Sequence, residues 1–175
     1  VAALFTATSA VSLTGLVLFD TERQWSMFGE LVITALMQIG GLGIMTLATL
    51  FTVLVSGRIG LRARMFAAAE TKALSVSDVR RVVRNVALFS LLGEVLVAAV
   101  LTGRLMIAYG EPFGRAAYLG VFHGVSAFNN AGFVLWPDNL VRFAGDGWIC
   151  LPIALASIVG GLGFPVVVEL RRNWR

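Results

Sequence analysis

Three long apolar runs restrict what this chain can fold into. They cover residues 27–56, 86–108 and 148–170, and a helix of about 20 apolar residues spans the roughly 30 Å of a bilayer's hydrocarbon core. The composition agrees, because 58% of the 175 residues are hydrophobic, only 14% are charged, and the mean hydropathy is +0.85. The sequence therefore predicts an all-α membrane protein with three spanning helices in a lipid bilayer.

Positive charge is concentrated beside two of these runs. Seven cations and two anions lie between the first and second runs, and Arg171, Arg172 and Arg175 follow the third. Because loops rich in Lys and Arg stay on the cytoplasmic side, segment 58–84 and Arg171 to Arg175 are predicted to be cytoplasmic, and the opposite loops to lie outside the plasma membrane. The net charge of +4 is attributed to this topology, and nucleic acid is not expected as a partner.

The chain also contains an internal repeat. At a shift of 117 residues, Ser9 aligns with Ser126 and Gly15 with Gly132. A second pair of motifs, GGLG, begins at Gly40 and again at Gly160, a shift of 120 residues. Two matches in the same order predict two copies of one unit, each with a short apolar segment, a glycine-centred motif, an outer loop and a spanning helix.

The short apolar segment of the second copy covers residues 113–128. As a helix it would reach only about 24 Å, less than a full crossing. Since residues 110–146 must begin and end on the outer side, we expect a short helix that enters the membrane and an extended strand that returns. Non-helical backbone is tolerated at membrane depth only inside protein or along a water-filled cavity, which implies a pore. The carbonyl groups of such a strand predict a cation as substrate.

Four segments carry a resemblance to a known family. They read ALFTATSAVSLTGLVLFDT, QIGGLGIMT, FHGVSAFNNAGFVLWPDNL and GGLGF, and together they extend over nearly the whole chain. The sequence here resembles the Trk/Ktr/HKT superfamily of potassium transporters, and most of all its KtrB-type bacterial subunits. The resemblance implies four non-identical units around one central pore, each with an outer helix, a re-entrant pore helix, a filter strand and an inner helix.

The resemblance also divides the chain. Residues 1–57 would be the first unit without its outer helix, 58–84 a basic cytoplasmic loop, and 85–175 a complete second unit. Two further units are missing, so the chain is expected to be a fragment. The backbone carbonyl groups of eight residues would bind potassium, namely Leu13, Thr14, Gly15, Leu16, Asn130, Ala131, Gly132 and Phe133.

The function implied by the resemblance is potassium uptake through this filter, with sodium dependence left open. Glycine at both central positions, Gly15 and Gly132, is similar to potassium-selective members. Transport of sodium, or of monovalent cations without selectivity, is the alternative. Potassium is expected as the substrate, with sodium as a further candidate, and no covalently bound cofactor is expected. The resemblance further implies a homodimer and a cytosolic ring of nucleotide-binding regulatory subunits as partners.

Several side chains beside the filter have two interpretations. Ser12, Asn129 and His123 are predicted to support the filter by hydrogen bonds from behind, although Asn129 could equally face the ion. The glycines of the two GGLG motifs either let helices pack closely or form a hinge, for which Pro165 favours a break in the second copy. These glycines are Gly40, Gly41, Gly43, Gly160, Gly161 and Gly163.

Two acidic residues in or beside the apolar runs need separate explanations. Glu94 lies near the middle of a run, where a carboxyl group is costly unless it has a partner. Either a hydrogen bond to another helix or a cation from a neighbouring helix would satisfy it, and Arg104 is too far along the same helix. Glu30 lies near the outer end of its run and is expected to be solvated.

An enzyme is the alternative from another class. Ser126 and His123 could in principle form a nucleophile and base in an intramembrane hydrolase. Thr6 occupies the position of His123 in the first copy, so the pair is not part of the repeated machinery. We therefore do not expect catalytic residues, and a purely structural subunit would leave the repeated motif unexplained.

Overall fold

The computed structural model describes the backbone of residues 1–59 and 76–173, and their side chains except at 52–59, 76–78, 165 and 168–173. Within these residues the chain is helical and contains no β-strand, which confirms the predicted all-α class. The helices are α1 (Ala2–Ser12), α2 (Thr21–Gln24), α3 (Met27–Ile59), α4 (Val76–Tyr109), α5 (Phe113–Phe128) and α6 (Gly147–Asn173), with a 3-10 turn at Val141–Phe143.

Three of the described helices are long and apolar enough to cross a membrane. These spans are Met27–Phe51 in α3, Val79–Tyr109 in α4 and Gly147–Phe164 in α6. They correspond to the three apolar runs and support a multi-pass membrane protein. Helices α3 and α4 extend into the predicted loop 58–84, whose residues 60–75 lie outside the described residues, as do Arg175 and the side chains of Arg171 and Arg172.

Helix α5 is the centre of the fold. It packs against α3, α4 and α6, and the side chains of Phe122 and Phe128 are each only 1% exposed. Its contact with α4 is close because glycines face that helix. A Cβ atom on Gly124 would lie 2.9 Å from the carbonyl oxygen of Glu94, and one on Gly120 would overlap with the hydroxyl of Thr102. Small residues at such a contact let two helix backbones approach closely.

The segment between α4 and α6 begins and ends at the same end of the bundle. Asp146, directly before α6, accepts hydrogen bonds through Oδ2 from Nε of Arg104 and from the hydroxyl of Tyr109, each at 2.9 Å. Its Oδ1 accepts from the backbone N–H of Trp148 at 3.0 Å and so caps α6. The guanidinium of Arg104 holds the pKa of Asp146 below its usual range. These contacts close residues 110–146 into a hairpin, with α5 as its descending limb.

Candidate ion pathway at two glycine-centred segments

The two predicted filter segments have the same backbone conformation. Leu13 and Asn130 both have φ of 56°, and two residues later Gly15 and Gly132 have φ of 70° and 76°. The left-handed region is costly for most residues, open to Asn and free of strain for Gly. Because both copies show the same sequence of φ angles, the repeat in sequence is also a repeat in structure.

The ends of α1 and α5 carry the same hydrogen bond. The backbone N–H of Thr14 donates to the carbonyl of Ser9 at 3.1 Å, and that of Ala131 donates to the carbonyl of Ser126 at 2.8 Å. A bond over five residues across a left-handed residue is the Schellman motif, which ends a helix and turns the chain away from it. Each short helix is therefore followed at once by a non-helical segment.

The two non-helical segments meet at their glycines. A Cβ atom on Gly15 would lie 2.9 Å from the carbonyl oxygen of Ala131, and one on Gly132 would lie 3.3 Å from the Cα atom of Gly15. Ala131 is fully buried. The segments thus approach each other closely. A side chain at either position would also be strained, because both glycines have a positive φ.

The spanning helices α3 and α6 contact the ends of α1 and α5 in equivalent ways. A Cβ atom on Gly40 of α3 would overlap with the carbonyl oxygen of Val11, and one on Gly160 of α6 would overlap with the carbonyl oxygen of Phe128. Val11 and Phe128 are 117 residues apart, the shift of the repeat. The first glycine of each GGLG motif therefore lies directly against the end of its own short helix.

The remaining glycines of the motifs differ between the copies. Helix α3 is continuous through its motif, whereas α6 is interrupted at Gly163, which has φ of 73° and ψ of 168°. A Cβ atom on Gly41 would overlap with the side chain of Asn129, and one on Gly161 would meet Asn130 Nδ2 at 3.5 Å. At Gly43 no described atom lies within 4 Å of the added carbon. Close contact and a helix break are thus both present, at different glycines.

A cavity of about 670 Å³ lies beside the bases of both segments. Both short helix ends and both GGLG motifs contribute to its wall. The lining residues include Ser12, Leu13, Gly41, Asn130, Gly161 and Gly163. Such a space, bordered by non-helical backbone, is the setting in which extended segments are tolerated at membrane depth.

A known protein family matches nearly the whole chain. The family model described as TrkH, cation transport protein, matches residues 1–172. The chain belongs to the TrkH family. This family groups transport proteins, so the prediction that the chain is not an enzyme is confirmed. The resemblance to the Trk/Ktr superfamily is confirmed as well.

Among curated relatives of this TrkH-family chain are two proteins named Ktr system potassium uptake protein B. The one from Bacillus subtilis (strain 168) is 44% identical over 99% of this chain and 38% of its own length, and the one from Vibrio alginolyticus is 38% identical over the same shares. Potassium/sodium uptake protein NtpJ of Enterococcus hirae is 32% identical over 94% of this chain and 36% of its own length. The TrkH-family chain thus spans less than two fifths of these relatives.

Two polar side chains of α5 hold the second segment from behind. Ser126 Oγ donates to the carbonyl oxygen of Phe133 at 2.7 Å, and His123 Nε2 accepts from the backbone N–H of Leu135 at 3.1 Å. His123 Nδ1 lies 2.7 Å from the carbonyl oxygen of Leu119, so the proton of the neutral ring is on Nδ1. The imidazole also stacks on Trp136, with 3.7 Å between ring centroids. The carbonyl of Phe133, a predicted ion ligand, therefore already accepts one hydrogen bond.

The first segment is held differently. Ser9, the equivalent of Ser126, has its Oγ 3.0 Å from Oγ1 of Thr14, and Ser12 Oγ donates to the carbonyl of Thr8 at 2.7 Å. Ser12 Oγ also lies 3.4 Å from Oγ1 of Thr14. The difference arises because Thr14 carries a hydroxyl where the second copy has Ala131, and that hydroxyl forms a hydrogen bond with Ser9.

The two asparagines at the base of the second segment bond to neighbouring helices. Asn130 Nδ2 donates to the carbonyl oxygen of Ser157 at 3.1 Å, and Ser157 Oγ donates to the carbonyl oxygen of Ala127 at 3.1 Å. Asn129 Nδ2 donates to Glu94 Oε1 at 3.1 Å. The Nδ2 of Asn129 thus bonds to α4, and both interpretations of this residue stay predictions.

One expectation about an acidic residue was wrong. Glu30 is 6% exposed rather than solvated, and its carboxylate accepts a hydrogen bond from the hydroxyl of Tyr118 on α5. The residues are 88 positions apart, so no local pattern of hydropathy indicates the pair. Arg104, rejected above as a partner for Glu94, pairs with Asp146 instead.

Proposed function

We propose that the protein takes up potassium ions across the plasma membrane through a pore whose filter includes residues 13–16 and 130–133. The observation that carries this proposal is the meeting of two equivalent non-helical segments at Gly15 and Gly132. A filter of this kind replaces the hydration shell of an ion with backbone carbonyl oxygens from several segments. Each segment needs glycine because several backbones converge on one axis.

The charge distribution supports a cation. Helices α1 and α5 both end at the base of a segment, and a helix C-terminus carries the equivalent of about half a negative charge. The carbonyl of Phe133 keeps a lone pair after accepting from Ser126, since a carbonyl oxygen has two. We therefore retain all eight predicted residues as backbone ligands, with Ser12, Asn129 and His123 as their support.

Sodium is the second candidate ion. The relative from Enterococcus hirae is named a potassium/sodium uptake protein, whereas the two at higher identity are named for potassium alone. Potassium is preferred here because both central positions, Gly15 and Gly132, are glycine. Uptake of sodium, uptake without selectivity, and potassium uptake that requires sodium are distinguished by the experiment below.

The proposal includes a topology and partners. Both glycine-centred segments face the outer side, whereas segment 58–84 and Arg171 to Arg175 face the cytoplasm. Residues 1–57 and 85–175 contribute two of four units around the pore. The full-length protein acts as a homodimer with a cytosolic ring of nucleotide-binding regulatory subunits on its inner face.

The experiment measures uptake by the full-length protein in cells that lack their own potassium uptake. We expect growth at limiting potassium with the unmodified protein, and none with Gly132→Asp, whose side chain would enter the contact with Gly15. Gly114→Asp is the matched control, because a Cβ atom on Gly114 meets no described atom within 4 Å. Potassium and sodium uptake are then measured separately, and potassium uptake is repeated with and without external sodium.

The proposal fails if Gly132→Asp supports growth as well as the unmodified protein at equal amounts in the membrane. Equal uptake of potassium and sodium by the unmodified protein would favour the non-selective alternative, and sodium uptake alone would favour a sodium transporter.

A further inference from the structure

A buried carboxyl group lies directly behind the second segment. Glu94, in the middle of the apolar helix α4, is only 5% exposed. Its Oε1 accepts a hydrogen bond from Ser90 Oγ at 2.5 Å and another from Asn129 Nδ2 at 3.1 Å. A carboxyl group at such a depth is costly and tends to be retained for a function. Glu94 therefore needs an explanation beyond the packing of α4 against α5.

Asn129 connects Glu94 to the rest of the site. Besides bonding to Glu94, its Nδ2 lies 3.3 Å from Oε1 of Gln38 on α3 and 3.0 Å from the carbonyl oxygen of Val125 on α5. One amide nitrogen thus has acceptors from three helices, and α3 belongs to the first copy of the repeat. The next residue is Asn130, whose left-handed backbone starts the non-helical segment.

The orientation of this amide is fixed by its surroundings. Asn129 Oδ1 is buried and has no hydrogen-bond partner among the described residues, and it packs against Gly41, where a Cβ atom would overlap with it. If the amide were flipped, Oδ1 would face three other acceptor oxygens, and Nδ2 would lie against Gly41 without a hydrogen-bond acceptor. Glu94, Gln38 and Val125 therefore hold Asn129 in one position, and Gly41 provides the space for it.

We propose that Glu94 is a positioning residue for ion selectivity, which acts through Asn129 on the backbone of residues 130–133. The inference rests on the function proposed above. Selectivity depends on the distances and orientations of carbonyl groups around the ion. Without an acceptor at Glu94, Asn129 loses one of the three acceptors that its two N–H groups share, and the segment that begins at Asn130 shifts relative to Gly15 of the first copy.

The test is the ratio of potassium to sodium uptake by the full-length protein, normalised to the amount in the membrane. Glu94→Leu removes the acceptor, and we expect this ratio to fall roughly tenfold, which corresponds to the free energy of about one buried hydrogen bond. Glu94→Gln keeps an amide oxygen that Ser90 and Asn129 can still use, so the ratio should stay close to that of the unmodified protein.

Thr102→Val is the matched control on the same helix. It removes a half-buried hydroxyl at the contact of α4 with α5, where Thr102 Oγ1 donates to the carbonyl oxygen of Ala98 at 2.7 Å. Because it does not touch Asn129, it should change the amount of protein without changing the ratio. If the role of Glu94 were purely structural, Glu94→Leu would likewise change the amount of protein and leave the uptake ratio unchanged.

A second variant approaches Asn129 from the other side. Gly41→Ala leaves Glu94 unchanged but places a methyl group where Asn129 Oδ1 lies, and it should lower the ratio as Glu94→Leu does. The inference is overturned if Glu94→Leu keeps the ratio of the unmodified protein. If Glu94→Leu does not reach the membrane, Gly41→Ala decides in the same way. The inference is also overturned if Thr102→Val lowers the ratio equally. Absence of potassium uptake by the unmodified protein would instead contradict the proposed function.

Discussion

The Cα atom of Gly15 lies 3.3 Å from the position that a Cβ atom would take on Gly132. The two glycines are 117 residues apart in sequence, yet their backbones are in contact. Each has a φ angle in the left-handed region, and each follows a left-handed residue by two positions. The contact joins the two copies of the repeat at two residues that carry no side chain.

Gly15→Ala is expected to reduce potassium uptake by roughly tenfold or more. The methyl group would lie 2.9 Å from the carbonyl oxygen of Ala131. Alanine would also have to adopt the left-handed φ of Gly15, which costs about 1–3 kcal/mol. Uptake per molecule in the membrane is the measurement. Gly114→Ala serves as control, since its added carbon meets no described atom within 4 Å. Equal uptake by the two variants would contradict the contact between the segments.

Gly40→Ala should destabilise the protein, whereas Gly43→Ala should not. The methyl group at Gly40 would overlap with the carbonyl of Val11, and at Gly43 it would meet no described atom within 4 Å. Overpacking of this kind costs about 1–3 kcal/mol. The Tm of the detergent-solubilised full-length protein tests both, and a similar Tm for the two variants would argue against close packing of α3 on α1.

His123→Phe should lower the free energy of unfolding by about 1–3 kcal/mol, the cost of leaving a buried N–H without an acceptor. Phenylalanine preserves the stacking on Trp136 but cannot accept from the backbone N–H of Leu135. Thermal unfolding in detergent measures the loss. Val121→Phe, at a position on the same helix that is 52% exposed, is the control for added aromatic surface. An unchanged free energy of unfolding for His123→Phe would show that the imidazole stabilises the fold only by stacking on Trp136.

Gly163→Ala and Gly161→Ala should change stability in opposite directions. Gly163 has φ of 73° and ψ of 168°, a conformation that other residues adopt at a cost of about 1–3 kcal/mol. Gly161 is helical and its added carbon would be in ordinary contact with Asn130 Nδ2 at 3.5 Å, so alanine there should gain up to about 1 kcal/mol of helix propensity. Tm measurements decide this, and a rise with Gly163→Ala would mean that the helix break is not strained.

Asp146→Asn should lower the Tm near neutral pH, and the difference from the unmodified protein should shrink in acid. The contact with Arg104 holds the pKa of Asp146 below its ordinary value of 3.8. The ionised group therefore stabilises the fold above that value, and its contribution is lost as the pH falls below about 3.8 toward the lower native pKa. A Tm difference that is the same at neutral and acid pH would contradict the role of the charge.

Local sequence patterns predicted much of the fold. The three apolar runs anticipated spans in α3, α4 and α6, and the length of the apolar segment before Asn129 anticipated a helix too short for a full crossing. The repeat anticipated two equivalent segments. These predictions succeeded because each depends on residues that are close together in the chain or on a spacing that is constant.

The contacts around the site could not be read from such patterns. Gln38, Glu94 and Asn129 come from three separate helices and meet only in the folded structure. Glu30 was expected in solvent because it lies near the outer end of its apolar run, whereas its partner Tyr118 is distant in the chain. The two GGLG motifs are identical in sequence, and only Pro165 after the second motif indicated which copy would contain a break, which lies at Gly163.

The sequence by itself determined the membrane environment, the number of spans and the repetition of a glycine-centred unit, because hydrophobic length and repeated motifs act locally. The tertiary structure alone decided how the copies meet: Gly15 against Gly132, each first GGLG glycine against its short helix, and Glu94 behind Asn129. A buried polar group has to find its hydrogen-bond partner among whatever the packed helices bring near it, and helix packing depends on the whole chain.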